Sequence, residues 1–382
     1  HCTELGRGVG GDAMDIHGGK AIMMGPNNYL ARGYMAAPIG ITVEGANILT
    51  RSLIIYGQGA MRCHPFVLRE LAAAGDEDID RGLIEFDDAL FGHIGYAISN
   101  MARSFFLALT HAKFSRVPLN TPTRRYYQNI NRYSAAFALA SDFAMLTLGG
   151  ELKRRELLSA RLGDVLSSIY LASCVLKHFE NQGRRATDLP LVEWSVRTLM
   201  YRAQDALHAF LRNLPNRWVA LFLRIFIFPR GRTYSAPSDE LGAKVVDLIT
   251  TPGEARERLS EQAYTTAEPG NPVGLLEEAL QLSIEVAPLE KRLRQANKEG
   301  LIKSEYLGTQ IDEAASAEVI TREEADKLHD YHDKIFALMA VDDFAPEELR
   351  RTSAEPKPRK AAKRKQAPRK KVAKKKSVSS NK

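Results

Sequence analysis

The chain has 382 residues, enough for one large or two modest hydrophobic cores. Its net charge of +7 comes from residues 351–382, which contain fourteen lysines and arginines and one acid. Residues 1–350 are therefore net negative, which excludes a basic protein apart from this tail. Three cysteines lie far apart without Cys-x-x-Cys or Cys/His metal spacing, which indicates a reducing compartment and argues against structural zinc.

The first 65 residues combine a helix, a long loop and a second helix. Residues 1–17 predict a helix that Gly18-Gly19 ends, and since the chain starts with His1 we expect it to be the C-terminal part of a longer protein. Residues 20–43 are rich in Gly, Pro and Asn and predict a loop too long to be idle. A helix from about Glu44 to Met61 follows, and His64-Pro65 marks a break.

Glu44-Gly45 is the pattern in this segment that suggests chemistry. A carboxylate among apolar residues has a raised pKa, which suits a general base, and the backbone N–H of Gly45 has room to donate to a developing oxyanion. Together they suit proton abstraction next to a carbonyl. The alternative is a Glu placed for the helix dipole or as a cap.

From about residue 66 to 350 the pattern is helical, without a convincing alternating strand or an internal repeat, so the fold class is all-α. Pro190 suits the first turn of a helix that runs to about Leu214. Further helical stretches are Tyr133–Leu148, Leu152–Phe179, Leu276–Ala296 and Arg322–Val341. One apolar face is predicted for a helix that contains Leu90, Ile94, Ala97, Ile98, Met101, Phe105 and Leu109.

Two stretches in this region permit two interpretations each. Trp218–Phe228 is too short to span a bilayer and predicts either a buried helix, which the sequence favours, or a helix at a membrane interface. His329 and His332, three residues apart on a helix, suggest half of a metal site or, with no second ligand pair nearby, a solvated helix face.

The tail from Ser353 onward combines Lys and Arg with Pro, Ala and Ser and has no apolar face, which predicts disorder. Its charge predicts either non-specific binding of polyanions such as nucleic acid or anionic lipid, or a plain solubilising tail. No aromatic residue interleaves the charges, so base stacking is not indicated.

Two blocks in the first 65 residues resemble motifs of the acyl-CoA dehydrogenases. Glu44-Gly45-x-x-x-Leu49-x-Arg51 is similar to their Glu-Gly-Thr-x-x-Ile/Leu-x-Arg signature. Asp15-Ile16-His17-Gly18-Gly19-Lys20-Ala21 resembles a Gln-Ile-Phe/His-Gly-Gly-x-Gly loop that touches the FAD of a neighbouring subunit. The resemblance covers roughly residues 1–350 and is closest to the long bacterial branch with an extra C-terminal domain, through blocks such as Arg62-Cys63-His64-Pro65, Ser159-Ala160-Arg161-Leu162-Gly163-Asp164 and Asn271-Pro272-Val273-Gly274-Leu275-Leu276-Glu277-Glu278.

The resemblance implies a role for each matching residue. Glu44 is the base that removes the α-proton of an acyl-CoA thioester, and Gly45 binds its carbonyl. Arg51 is expected to pair a charge rather than to catalyse. The residues implied in FAD contact are Asp15, His17, Gly18, Gly19 and Ala46. The chain departs from the family with Asp15 for Gln, Ala21 for the third Gly, Ala46 for Thr, and Met35-Ala36-Ala37 for an Arg-Asp-Ala run.

The resemblance also implies an organisation and an activity. Residues 1–65 would end the dehydrogenase helical domain, residues 66–350 would form the extra helical domain, and residues 351–382 the basic tail. The implied reaction is FAD-dependent conversion of medium- or long-chain fatty acyl-CoA to trans-2-enoyl-CoA in β-oxidation, with an electron-transfer flavoprotein as acceptor. A homo-oligomer in the bacterial cytoplasm or at the inner membrane is expected. The alternative from another class is a non-catalytic helical scaffold or membrane adaptor with a polyanion-binding tail.

Overall fold

The computed structural model describes residues 1–23, 25, 27–43, 45–117, 121–268 and 270–341, and every regular element in these ranges is a helix. This confirms the all-α prediction. Glu44 and the basic tail lie outside the described residues. The α-helices are α1 (Cys2–His17), α2 (Gly19–Ile22), α3 (Ala31–Ala36), α4 (Ile39–Thr42), α5 (Asn47–Leu49), α6 (Gly59–Cys63), α7 (Val67–Ala74), α8 (Ile79–Leu109), α9 (Arg124–Leu148), α10 (Glu156–Asn181), α11 (Leu189–Asn213), α12 (Arg217–Ile227), α13 (Asp239–Thr250), α14 (Glu254–Ser260), α15 (Pro272–Lys298), α16 (Leu307–Ser316) and α17 (Arg322–Met339).

The larger hydrophobic core lies between α9, α10, α11 and α12. Apolar residues recur at three- and four-residue spacing on each of these helices, so each presents a continuous stripe to the others. Pro190 lies in the first turn of α11, as predicted, where its missing N–H costs nothing. The residues that fill the centre of this core include Leu139, Leu162, Leu176, Met200, Leu207 and Phe210.

A second core joins α15, α16 and α17 through Val286, Leu293, Ile311 and Leu328. Thr321 caps the start of α17, because its hydroxyl accepts from the Glu324 N–H while the Glu324 carboxylate accepts from the Thr321 N–H. The predicted stretches Leu276–Ala296 and Arg322–Val341 therefore correspond to real helices, one longer and one slightly shorter than expected.

Among the described residues, one helical stretch, Arg124–Lys153, is long and apolar enough to cross a bilayer by length and composition alone. In this fold its α9 portion supplies Tyr133, Leu139 and Ala144 to the larger core. The core helix of a globular domain satisfies the same criteria, and α9 is a core helix of this fold.

The first 65 residues correct the predicted loop and helix. The segment predicted as a loop, residues 20–43, contains α3, α4 and the end of α2, each of which is a short helix of four to six residues. The helix predicted from Glu44 begins instead at Asn47. Between α5 and α6 the turns widen into a π-helical segment, Thr50–Gln58.

The apolar face predicted for α8 is only partly covered: Met101 packs against the larger core, and the Phe105 ring lies 5.5 Å from the Phe226 ring between centroids. Ile94, Ile98 and Leu109 on that face are exposed. The residues that α8 buries are, apart from Leu107, small or polar and include Ala89, Asn100, Ser104 and Ala108. Small side chains let the helix backbones approach closely, so they form the packed side of α8 although they are less hydrophobic.

Neither sequence interpretation of Trp218–Phe228 is complete. The helix α12 buries Ala220, Leu223 and Ile227 against the core, as a buried helix would. Its opposite side, with Trp218 and Ile225, is exposed. The buried-helix prediction is therefore correct for one side of α12 and wrong for the other.

Candidate functional site

Gly45 and Ala46 lie between α4 and α5. The backbone of Gly45 has a φ of 88°, in the left-handed region that favours glycine. Ala46 is the residue immediately before α5, in an extended conformation. The Asn47 side chain then donates to the Thr3 hydroxyl at 2.9 Å and to the Glu4 carboxylate at 3.2 Å, so the segment is fastened to the first turn of α1.

The π-helical segment that follows packs tightly on α10. A Cβ on Gly163 of α10 would lie 2.9 Å from the carbonyl oxygen of Arg51, so only glycine permits this approach. The Arg51 guanidinium lies 3.6 Å from the Asp164 carboxylate, which confirms the prediction that it pairs a charge. Burial raises the pKa of Asp164, while Arg51 and other neighbouring cations act in the opposite direction.

The loop proposed to contact a flavin lies at the other end of α1. α1 ends at His17, and Gly18 reverses the chain with a φ of 55°. The His17 ring is held on both sides, since its Nδ1 donates to the Ala13 carbonyl oxygen at 2.8 Å and its Nε2 is hydrogen bonded to the Tyr29 hydroxyl. Asp15 is exposed on the last turn, and Gly19 begins α2.

Asn28 fixes the shape of this loop from inside. Its amide nitrogen donates to the carbonyl oxygens of Ala21 at 2.9 Å and Met23 at 2.6 Å. Its side-chain oxygen accepts from the backbone N–H groups of Leu30 and Ala31, both at 2.9 Å. The resulting turn is preorganised, and the Ala21 side chain that replaces the family's third glycine is buried within it.

A cavity of about 400 Å³ lies against this loop, within the range of ligand pockets. Lys20 borders it, and its ammonium donates to the Leu338 carbonyl oxygen and lies 5.3 Å from the centre of the Tyr29 ring. Burial lowers the pKa of Lys20. On the far wall, Lys334 is neutralised by Glu278 at 2.8 Å and Asp330 at 3.1 Å.

The structure does not bring the two proposed site segments together. Gly45 and Ala46 precede the Asn47 side chain, which contacts the first turn of α1, whereas Asp15, His17, Gly18 and Gly19 lie at its last turn. At 1.5 Å per residue, Glu4 and Gly18 are separated by roughly 20 Å along α1. The two segments of one chain therefore cannot contact the same reacting atoms.

A buried polar cluster that the sequence analysis missed lies where α6 ends. His64 Nδ1 accepts from the backbone N–H groups of Phe66 at 3.2 Å and Val67 at 3.1 Å, and its Nε2 donates to the Asp142 carboxylate at 3.0 Å. The His93 ring lies 4.5 Å away between centroids and donates through Nδ1 to Glu70 at 2.7 Å. The members lie on separate helices, so no sequence spacing signals the cluster.

His64, His93 and Asp142 have the chemistry of metal ligands, and one potential ligand atom of each lies within 4.8 Å of the others. Both nitrogens of His64 are already engaged, one by two amide protons and the other by a proton directed at Asp142. Neither offers a free lone pair. The geometry therefore fits a hydrogen-bonded network better than a metal centre.

Burial has opposite effects on the two central groups of this network. It lowers the pKa of His64 and raises the pKa of Asp142, because each charged form loses water. The two backbone N–H groups that donate to Nδ1 also favour the neutral ring, because a protonated Nδ1 cannot accept a hydrogen bond. His64 is therefore held neutral.

His329 and His332 on α17 do not form a shared site. His329 Nε2 lies 3.0 Å from the Asp312 carboxylate of α16, and His332 Nε2 lies 3.9 Å from the Glu290 carboxylate of α15. Both side chains are partly buried at helix boundaries. The predicted solvated face therefore also makes inter-helix contacts, because each ring faces a carboxylate of a different neighbouring helix while His329 stays partly exposed.

Most of the chain matches a known protein family. Residues 61–344 match the family described as acyl-CoA dehydrogenase, C-terminal, bacterial type. No solved structure matches the chain. The matched range holds all helices from α7 to α17, together with both hydrophobic cores. The chain therefore belongs to the acyl-CoA dehydrogenase family, in which residues 61–344 are a C-terminal domain of the bacterial type.

Proposed function

We propose that this chain is the C-terminal part of an FAD-dependent enzyme that converts medium- or long-chain fatty acyl-CoA to trans-2-enoyl-CoA in β-oxidation. The observation that carries the proposal is the family match over residues 61–344, with the Glu44-Gly45 block upstream of it in the same chain. A domain of this family and a base of the kind that its chemistry needs are thus adjacent in one chain.

In this proposal Glu44 takes the proton from the carbon next to the thioester carbonyl. Apolar Ile41 and Val43 flank it in sequence, which favours a carboxylate with a raised pKa. The N–H of Gly45 donates to the thioester oxygen as negative charge develops there. A glycine suits this position because its φ of 88° is strained for any other residue. No atom lies within 4 Å of where a Cβ would be, so the space beside its backbone is open to a ligand.

The loop at the end of α1 fits the edge of a flavin that is held mostly by other parts of the enzyme. The space beside Gly18 is open, since a Cβ there would meet no atom within 4 Å, and the turn is preorganised by Asn28. Asp15, His17, Gly18 and Gly19 would contact the group from this turn, and Ala46 from the other segment. When bound, the flavin accepts the hydride equivalent that leaves the substrate.

The roughly 20 Å between the two segments supports a homo-oligomer with shared sites. In such an assembly the α1 loop of one subunit contacts the flavin of its neighbour, while Glu44 serves the site of its own subunit. An electron-transfer flavoprotein then takes the electrons. We place the enzyme in the bacterial cytoplasm, where fatty acyl-CoA is available.

Replacing Glu44 by Gln in the full-length enzyme tests the catalytic role. The amide keeps the shape of the side chain but cannot take a proton. We expect palmitoyl-CoA dependent dye reduction to fall by about 10²–10⁴-fold, with the flavin absorbance spectrum unchanged.

Glu77→Gln is the matched control, because Glu77 is exposed and lies outside both proposed segments. It removes the same charge and should leave turnover at the wild-type level. Turnover of Glu44→Gln within roughly tenfold of wild type would exclude Glu44 as the base.

A further inference from the structure

The outward side of α12 is a hydrophobic surface on a rigid support. Its inward side packs Ala220, Leu223 and Ile227 into the larger core. Phe222 lies 5.4 Å from the Phe143 ring of α9 and 4.7 Å from the Phe226 ring, between centroids. Asn216 caps the first turn, and its side chain accepts from two backbone N–H groups. The orientation of the outward side is therefore fixed by packing.

The exposed residues on this side are large and apolar. Trp218 is 81% exposed, Leu221 52% and Ile225 51%. At the α-helical period these residues and Phe222 share one side of α12. A soluble surface rarely places four such residues side by side, and contiguous apolar patches mark interaction sites.

Cationic groups border this apolar side. Arg217 and Arg224 flank Leu221 on the helix surface, and with Arg212 and His208 of α11 they line a cleft of about 390 Å³. No ion pair among the described residues uses Arg212, Arg217 or Arg224. The nearby Asp205 is already paired with Arg232 at 2.8 Å, so the field beside α12 is positive.

His208 is consistent with this positive field. Its pKa is lowered, first by burial and then by Arg232 and Arg224, with Arg212 contributing in the same direction and Asp205 opposing them. A neutral His208 adds no charge of its own to the cleft, so the charge of the cleft comes from the arginines. The arginines above it remain available to an external anion.

We propose that the outward side of α12 is a membrane-contact surface for bilayers with anionic phospholipids. Trp218, Leu221 and Ile225 enter the interfacial region, and the arginines of the cleft contact lipid phosphates. With eleven residues, α12 is too short to cross the hydrocarbon core and must lie along the interface. The apolar residues match the hydrocarbon side of the lipid interface, and the bordering arginines match its anionic headgroups.

Trp218 makes the proposal directly testable, because the chain contains only two tryptophans. In the full chain with Trp194→Phe, Trp218 is the only indole. We expect its emission to shift to the blue, and to be quenched by brominated acyl chains, when vesicles of phosphatidylglycerol and phosphatidylcholine are added. The reciprocal Trp218→Phe variant, which keeps Trp194 of α11, should show neither change.

Charge removal tests the second half of the proposal. Arg217→Gln with Arg224→Gln should weaken the quenching-detected affinity by at least about tenfold, since each arginine near an anionic surface contributes to binding. Arg294→Gln with Lys298→Gln removes the same charge from exposed positions of α15 and should change it little. Circular dichroism checks that all variants are folded.

Two results would overturn the proposal. The basic tail also attracts anionic vesicles, so the chain could sediment with them while Trp218 emission stays unshifted and unquenched; the surface would then not contact lipid. Alternatively, a blue shift that depends on protein concentration without lipid, with self-association in sedimentation velocity, would assign the surface to a second copy of the chain.

Discussion

His64 shows how neighbouring groups decide the state of a single residue. Its tautomer is set by two amide donors on one nitrogen and a carboxylate on the other. Proton uptake would break the amide contacts and place a charge in a buried site. The ring therefore acts as a neutral link between the start of α7 and the centre of α9.

This arrangement predicts a pH dependence of stability. The pKa of His64 is about 6.5 when unfolded and lower when folded. As pH falls below about 6.5, the unfolded chain gains a proton that the folded protein does not, so the free energy of unfolding falls. The slope from this residue reaches at most about 1.4 kcal/mol per pH unit.

His64→Asn isolates the effect. The asparagine oxygen can still accept from the amides, but the side chain no longer titrates. Chemical denaturation at pH values from about 7.5 to 6 should give a flatter dependence for the variant than for wild type. Equal slopes would show that His64 is not the group responsible.

At the scale of elements, the contact between α10 and the π-helical segment depends on a missing side chain. Gly163→Ala places a methyl group 2.9 Å from the Arg51 carbonyl oxygen, too close unless a backbone moves. We expect a loss of about 1–3 kcal/mol in the free energy of unfolding, measured by denaturant titration.

Gly242→Ala on α13 is the comparison, because its Cβ would meet no atom within 4 Å. This variant should be neutral or gain up to about 1 kcal/mol from helix propensity. If Gly163→Ala were equally well tolerated, the close packing of α10 on Arg51 would be wrong.

Helical periodicity predicted the existence of α9, α10, α11, α15 and α17 from the sequence, but not which side of a helix is covered. On α8 the most hydrophobic stripe is only partly covered, with Ile94 and Ile98 exposed, whereas Ala89, Ser104 and Ala108 are fully buried. A periodic pattern reports hydrophobicity and contains no information on how closely a neighbour approaches. The exposed side of α12 was equally beyond periodicity, because both its sides are apolar.

For the whole molecule, the decisive fact about the proposed site is distance. The sequence supplied Glu44, Gly45 and the α1 loop as site segments through resemblance to motifs. The Asn47 side chain fastens the residues after Gly45 to the first turn of α1, at the opposite end from the loop, and no motif records this contact. The network around His64 was invisible for the same reason, since its residues meet only in the folded chain.

Shared sites predict complementation between inactive variants of the full-length enzyme. Gly18→Val forces a strained φ at the loop and should abolish activity on its own, as should Glu44→Gln. In a mixed dimer, one site receives an intact Glu44 from one chain and an intact loop from the other. Co-expression should restore about a quarter of wild-type turnover if chains pair at random.

Co-expression of Glu44→Gln with itself is the baseline for this measurement. Activity at that baseline in the mixed sample would mean that both segments serve sites within one subunit, against the roughly 20 Å between them. Full activity of Gly18→Val alone would remove the loop from the cofactor site.

The π-helical turns at Thr50–Gln58 set the angular phase between the Glu44-Gly45 segment and everything that follows it. Each residue of an ordinary helix advances the chain by about 100°, so deleting one residue here would rotate the preceding segment by roughly that angle about the axis. Asn47 would then turn away from Thr3, and Arg51 from Asp164. The length of this short stretch therefore fixes the rotation of the preceding segment about the helix axis. Insertions or deletions within it should be tolerated far less than in the surface loops.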